Sequence, residues 1–458
     1  MIVRTNSLQN DGNAGGAIDN MGTIVVEGNI INNSSIHAVG DTIRLSGDWI
    51  NNGSYTATNS WVEMNGATQL ITGSNPTNFD NLSLLGGNST KRQTLNALVK
   101  NELRLNDAEL ATDVHVMHVD NPAVNSVTRN SGFVSSVGAG RFTRTTNSSA
   151  AYLFPTGSPS YLNPPSIFRP VIITPASNTL NYYSATLVKG DASADGWNVN
   201  TTDDVLCLVN PNFYHRLYQL YDNNSASITM HYAPATDGDW TDQAHWDTPN
   251  RWNHLGSPTS GNGLGFSTVT VNGVSDFQPE PFALARKKFT LELGPDIQIT
   301  QGESVTLQPT HTAVNVASYN WTPPVAISCT DCEKPTVSPS ANTQYVLTMA
   351  DDAGCTATDA VNIIVNNPML LMPTAFSPNG DGVNDKFRAL NKDLTEYTLQ
   401  IYNRWGELVF ETTDPTDGWD GTYKDIEQPL GVYVWTCRYR ISGQPKAVTA
   451  KGNVTLMR

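Results

Sequence analysis

Val25-Val26-Glu27-Gly28-Asn29-Ile30-Ile31-Asn32-Asn33 and Arg44-Leu45-Ser46-Gly47-Asp48-Trp49-Ile50-Asn51-Asn52 repeat one pattern at an offset of 19 residues. Each copy sets two short apolar runs on either side of a Gly-containing corner and closes on paired asparagines. A unit this short buries no core alone, so the repeat predicts stacked coils of a β-solenoid sharing a continuous interior. Asn and Gly suit the corners because left-handed backbone angles cost them little. Trp61-Val62-Glu63-Met64, Phe79-Asp80-Asn81-Leu82-Ser83-Leu84, Leu103-Arg104-Leu105 and Val114-His115-Val116 keep the character without the strict period. The solenoid-like region is assigned residues 1–149.

The rest of the composition agrees with an all-β chain. Of 458 residues only 15% are charged, and the abundance of Asn, Thr, Ser and Gly favours short strands and turns over helices. This length exceeds what one core usually serves, so several domains are expected. A formal net charge of −15 argues against nucleic acid, whose binding draws on clustered Lys and Arg. No stretch of apolar residues is long enough to span a membrane as a helix. The N-terminus, Met1-Ile2-Val3-Arg4-Thr5-Asn6, lacks the apolar core of a signal peptide. Export therefore implies a signal already removed, or a fragment behind an added Met.

Outward from the repeat, residues 150–288 are expected to form a separate β-sandwich, with alternation in Tyr182-Tyr183-Ser184-Ala185-Thr186-Leu187-Val188 and Ala226-Ser227-Ile228-Thr229-Met230-His231-Tyr232. Residues 289–367 carry Gly302-Glu303-Ser304-Val305-Thr306-Leu307, Tyr319-Asn320-Trp321-Thr322-Pro323 and Thr343-Gln344-Tyr345-Val346-Leu347-Thr348. This succession resembles the immunoglobulin-like PKD modules of bacterial surface proteins, with Trp321 in the buried-Trp position.

Residues 368–458 are the most specific part of the chain. Pro373-Thr374-Ala375-Phe376-Ser377-Pro378-Asn379-Gly380-Asp381-Gly382-Val383-Asn384-Asp385 precedes Ile401-Tyr402-Asn403-Arg404-Trp405-Gly406-Glu407-Leu408-Val409-Phe410. Gly418-Trp419-Asp420-Gly421-Thr422-Tyr423, Pro429-Leu430-Gly431-Val432-Tyr433-Val434-Trp435 and Lys451-Gly452-Asn453-Val454 follow. Residues 397–403 and 408–412 read as one hairpin, and 431–439 with 448–457 as a second. Together they predict a small β-sandwich whose core uses Trp405, Trp419 and Trp435.

These blocks resemble the gliding-motility-associated C-terminal domain, the type B sorting signal of type IX secretion in Bacteroidetes. The resemblance implies that Pro378, Asn379, Gly380, Asp381, Gly382, Asn384, Asp385, Arg404, Trp405, Gly406, Trp419, Asp420, Gly421, Gly431, Tyr433, Lys451 and Gly452 form the sorting-domain motif. It implies the type IX translocon and a PorP/SprF-like outer-membrane protein as partners, and a protein at the cell surface (outer membrane-associated) or extracellular. The residues alone suggest only a β domain with strand edges open to strand addition.

Candidate sites divide as follows. Asn379, Asp381 and Asp385 stand at ligand positions of an EF-hand-like loop, but Arg388 replaces the bidentate Glu. The alternatives are a structural calcium ion and an Asn/Asp/Gly turn that hydrogen-bonds itself. No other cofactor is expected. Asp237-Gly238-Asp239-Trp240 raises the same two readings. Five cysteines suggest an oxidising compartment. Cys355 is placed to pair with Cys332 or Cys329, with a Cys329–Cys332 bridge as the alternative. His115 and His118, three apart on a strand, face opposite ways and do not share an ion.

Trp240, Trp246 and Trp252, near His245 and His254, are either core or an aromatic platform for a surface glycan. The motifs of nucleophile elbow, HExxH and phosphate loop are missing, so the chain is read as non-enzymatic: an exported protein whose N-terminal β domains are structural or adhesive. The alternatives are a polysaccharide-processing enzyme carried on the solenoid, and a glycan-binding adhesin using the Trp-rich segment.

Overall fold

The computed structural model describes all residues except 1, 13–16, 21, 163, 279, 367, 368, 392 and 442–445, and side chains of 2–4 and 17–20 are likewise outside the description. The boundary expected at 367/368 lies outside the described residues. The chain divides into two compact units, Met1–Lys288 and Phe289–Arg458, and each is described by itself.

The first unit opens as a β-solenoid. Thr23–Val26, Ile30–Asn32 and Ser35–Val39 form the three sides of one coil, and Thr42–Leu45, Trp49–Asn51 and Ser54–Thr58 those of the next. All three pairings are parallel, with Thr23 against Thr42, Ile30 against Trp49 and Ser35 against Ser54. The sequence offset is therefore the length of one coil. Inward positions alternate along each strand, so that Ile24, Val26, Ile43, Leu45, Val62 and Met64 stack in the interior. The corner glycines have a steric cause: a Cβ on Gly66 would collide with the carbonyl oxygen of Ser46 in the coil beneath.

Asparagine stacks line another corner. Asn32, fully buried, donates to Asn51 Oδ1 at 2.8 Å and to the Ser54 carbonyl at 2.8 Å. Asn10 donates in turn to Asn32 at 3.4 Å. The ladder satisfies polar groups at a turn that water does not reach.

No break follows the last coil. Strand Arg141–Thr146 pairs in parallel with Val116–Val119 on one side and antiparallel with Asn181–Lys189 on the other. The solenoid sheet thus continues through Phe213–Gln219, Pro281–Lys287, Asp242–Asp247 and Arg251–His254. A five-stranded sheet containing Tyr152–Phe154, Val171–Pro175 and Ala226–Tyr232 belongs to the same region. One apolar core joins Ile24 to Leu284 without interruption. Residues 150–288 accordingly grow out of the solenoid rather than standing apart from it. A parallel coil stack leaves an open last strand, and an antiparallel partner covers it.

In the second unit, residues 291–366 form a four-stranded sheet and two two-stranded pairs. Trp321 is buried, and its indole N–H donates to the Cys332 carbonyl at 2.9 Å. Tyr345, also buried, donates its hydroxyl to the Val325 carbonyl at 2.7 Å. Residues 369–458 form a five-stranded sheet ordered Ala375–Phe376, Val448–Leu456, Gly431–Ile441, Leu394–Tyr402, Leu408–Thr412. Both expected hairpins are present. Phe376, Phe387, Trp419, Tyr433 and Trp435 fill its core.

Candidate functional site at the tip of the C-terminal domain

The quoted motif residues of the C-terminal domain sort physically into groups that hold the fold and a group that faces outward. Trp419 is fully buried against Phe376 and Tyr433, with ring centroids 5.4 and 4.6 Å away. Its backbone exchanges hydrogen bonds with Phe387 at 2.8 and 3.0 Å. Asp420 caps the following turn, accepting the Thr422 N–H at 2.9 Å, and Gly421 takes φ +81 there. Gly452 sits opposite Trp435 in the hairpin, and an added Cβ would lie 2.6 Å from the indole. Lys451 beside it is exposed.

The loop from Ser377 to Asp385 is closed by its own hydrogen bonds. Asp385 accepts the backbone N–H groups of Asn379, Gly380 and Gly382 at 3.0, 2.8 and 2.8 Å. Asp381 accepts from the Asn379 amide at 2.9 Å and from the Val383 N–H at 2.7 Å. These donors, Asn379 foremost, hold the Asp381 carboxyl below its ordinary pKa. The geometry is that of an Asx-rich turn already supplied with donors. Asn384 takes φ +57 and accepts the Ser377 N–H through its carbonyl.

Trp405 departs from expectation. It is 83% exposed and contributes nothing to the core, which Trp419 and Trp435 fill without it. The reason is local: Asn403 builds a tight turn, accepting the N–H groups of Trp405 and Glu407 at 3.0 and 3.1 Å. Gly406 supplies φ +81. The indole therefore rides on a fixed turn beyond the end of the sheet.

Beside it, Leu430 and Val432 are 55% and 57% exposed. The outward position of Val432 follows from the alternation that turns Tyr433 and Trp435 inward along Gly431–Ile441, and Leu430 lies just before that strand. The Tyr433 hydroxyl donates to the Pro429 carbonyl at 2.8 Å and fixes the chain leading into that strand. Asn403, Arg404, Trp405 and residues 428–433 enclose a cleft of about 120 Å³, room for a side chain or two rather than a cofactor. Burial raises the Tyr433 pKa, while the nearby charges of Arg404 and Arg458 lower it. Exposed Trp405, Leu430 and Val432 thus stand beside the exposed Arg404 and an Arg458–Glu427 ion pair. The exposure of Val432 was open to prediction from strand alternation, whereas that of Trp405 was not.

The remaining candidates resolve as follows. Cys329 and Cys332 are bonded to each other, with Cα atoms 5.9 Å apart, so the alternative pairing holds and neither is linked to Cys355. The turn through Asp331 brings the two side chains within disulfide reach. Cys437 is a buried free thiol. Trp240, Trp246 and Trp252 are 6%, 9% and 0% exposed and offer no platform for a glycan. Trp246 and Trp252 face each other across a hairpin at 5.8 Å, and Trp240 donates to the Asp237 carbonyl at 2.8 Å. Asp237 is not a solvated turn residue: it is buried and accepts from Arg169 at 2.8 Å. His118 bonds Thr145 Oγ1 at 2.9 Å. Among the described residues no helix is long and apolar enough to cross a membrane.

Fold and site define a chain of β units whose C-terminal portion is a domain of one five-stranded sheet and a two-stranded pair, with an exposed aromatic tip. Residues 370–456 match the CHU_C type IX secretion signal domain. The chain therefore carries this family's C-terminal sorting domain and is a secreted cargo protein of the type IX system. No curated protein matches the chain. Solved structures give only distant likenesses. A tri-modular GH5 endo-β-1,4-glucanase from Bacillus licheniformis is 12% identical over 37% of this chain and 39% of its own, with TM-score 0.14. Dimeric latent PorU from Porphyromonas gingivalis is 9% identical over 63% of this chain and 31% of its own, with TM-score 0.14. The four N-terminal Ig domains of Dscam1 isoform 8.4 are 10% identical over 59% and 90%, with TM-score 0.17. This chain spans well under half of the first two, and scores of this size carry no argument about function.

Proposed function

We propose that the C-terminal domain is read at its Trp405 tip by a PorP/SprF-like outer-membrane protein, which holds the exported chain at the cell surface. The observation that supports this most is the exposure of Trp405 on a turn fixed by Asn403. A large aromatic held rigidly in water loses little conformational entropy on docking and buries much area, the combination found at interface hot spots. Arg404, exposed beside it, adds positive charge for an acidic rim on the partner, while Arg458 is paired with Glu427 at 2.9 Å. Residues 289–367 serve as an immunoglobulin-like spacer, and the solenoid with its continuation forms a non-enzymatic structural or adhesive head. In its favour, the inward positions of the coils are filled by packed side chains.

The test is Trp405→Ala in the full chain. The unfolding transition should be unchanged, because the indole packs on nothing in the core, while crosslinking to the outer-membrane partner and surface retention should fall at least tenfold. Full retention with an unchanged fold would overturn the assignment of the tip.

A further inference from the structure

We infer that His245, Asp247 and Asp276 form a binding site for a zinc-class divalent metal ion that clips the segment 275–278 to the strand Asp242–Asp247. One coordinating atom from each of the three lies within 4.8 Å of the other two. His245 and Asp247 are two apart on that strand and so share a face. Asp276 arrives from the connection between Phe266–Val274 and Pro281–Lys287.

The histidine is the buried member of the three. It is 3% exposed, and its Nε2 is buried with no hydrogen-bond partner among the described residues. A ring nitrogen left so is costly. The imidazole is fixed by stacking on Phe282, centroid distance 4.1 Å and interplanar angle 21°, and by a hydrogen bond with the backbone of Glu280. A backbone partner for one ring nitrogen commonly orients the other toward a metal.

Both carboxylates are also held in place. Asp247 Oδ1 accepts the Thr248 N–H at 2.6 Å, and Asp276 Oδ1 accepts the Gln278 N–H at 3.1 Å. Among the described residues neither Oδ2 accepts a hydrogen bond, and each is left to coordinate. Arg251, opposite Asp247 in the hairpin, donates instead to Asn253 at 3.0 Å. A neutral imidazole and two carboxylates sum to the charge that balances a divalent cation. Ligands of a tetrahedral zinc ion stand roughly 3.3 Å apart, given metal–ligand bonds of about 2.0–2.2 Å. Reaching that spacing from within 4.8 Å requires the exposed Asp247 side chain to turn as the ion binds. Calcium, which takes about six to eight oxygens, fits a nitrogen-containing set of three poorly, and water completes the shell of the smaller ion.

The experiment is calorimetric titration of the EDTA-treated full chain with Zn²⁺, beside Asp247→Asn and Asp276→Asn. These substitutions alter exposed and half-exposed side chains, and their melts confirm that the fold is kept. The expected result is one site per chain, weakened at least tenfold in each variant, with slower hydrogen exchange at residues 275–278 when zinc is present. Calcium should bind at least tenfold more weakly than zinc. Absence of zinc binding, equal affinity in the variants, or calcium binding as tightly as zinc would each overturn the assignment.

Discussion

Replacing Asn32 with Ala tests whether the asparagine ladder, and not apolar stacking alone, sets the corner of the coils. Asn32 is 0% exposed. Its amide donates at 2.8 Å to Asn51 Oδ1 and at 2.8 Å to the Ser54 carbonyl, and its oxygen accepts from the Ser34 N–H at 3.3 Å. Truncation leaves the buried Asn51 Oδ1 and the part-buried Ser54 carbonyl without this donor, and the Ser34 N–H and the Asn10 amide without this acceptor. Unsatisfied groups of this kind cost about 1–3 kcal/mol each, and partial repair by the neighbouring Asn51 side chain brings the sum to about 3 kcal/mol. Asn33 is the control, since it lies one residue on, is exposed, and makes a similar bond to Asp11 at 2.8 Å. Asn33→Ala should cost under about 0.5 kcal/mol, as exposed substitutions generally do. Urea unfolding of both variants, followed by hydrogen exchange over residues 24–58, separates them. Equal, small losses would refute the ladder and assign the corner to packing alone.

Gly452→Ala should destabilise the C-terminal domain by about 2 kcal/mol, because the added methyl overpacks the Trp435 indole; a melt of the full chain monitored by Trp fluorescence reads the loss. Asp385→Asn should cost about 1 kcal/mol, since it weakens charge-assisted bonds from three backbone N–H groups in an exposed loop. Millimolar calcium should leave the wild-type melt unmoved, and a rise with calcium would mean that the loop holds an ion after all. For pH, burial depresses the His215 pKa from 6.5 to about 4. Between these values the unfolded chain binds the proton and the folded one does not. Stability of the first unit should therefore be full above pH 6.5 and fall by up to about 3 kcal/mol toward pH 4. Denaturant melts across that range should show the slope, and His215→Gln should lessen it.

Much of the architecture was legible because the controlling period was written locally. Ile30 and Trp49, or Asn32 and Asn51, are 19 apart in sequence and directly paired in space. The C-terminal hairpins were legible for a similar reason, with short turns between alternating strands. The continuation of the solenoid sheet past residue 146 was not, because it depends on Phe142 meeting Ala185, a long-range pairing with no local signature. Trp405 was misplaced since aromatic content suggests core, whereas only the turn geometry around Asn403 shows the indole pushed outward. Trp246 and Trp252 left platform and core both open until their hairpin register placed them face to face. The Cys329–Cys332 bridge stayed an alternative because spacing alone does not reveal the local turn. Asp276 was invisible as a partner of His245, being 31 residues away in sequence.

The central claim, that residues 370–456 are the export address, is tested most directly by surface labelling in a cell carrying the type IX system. Full-length chain, chain lacking residues 371–458, and a periplasmic reporter fused to residues 368–458 would be compared by a membrane-impermeant label. Labelling of the full chain and the fused reporter, with the truncated chain retained inside, is the predicted result. Labelling of the truncated chain at the full-length level would contradict it.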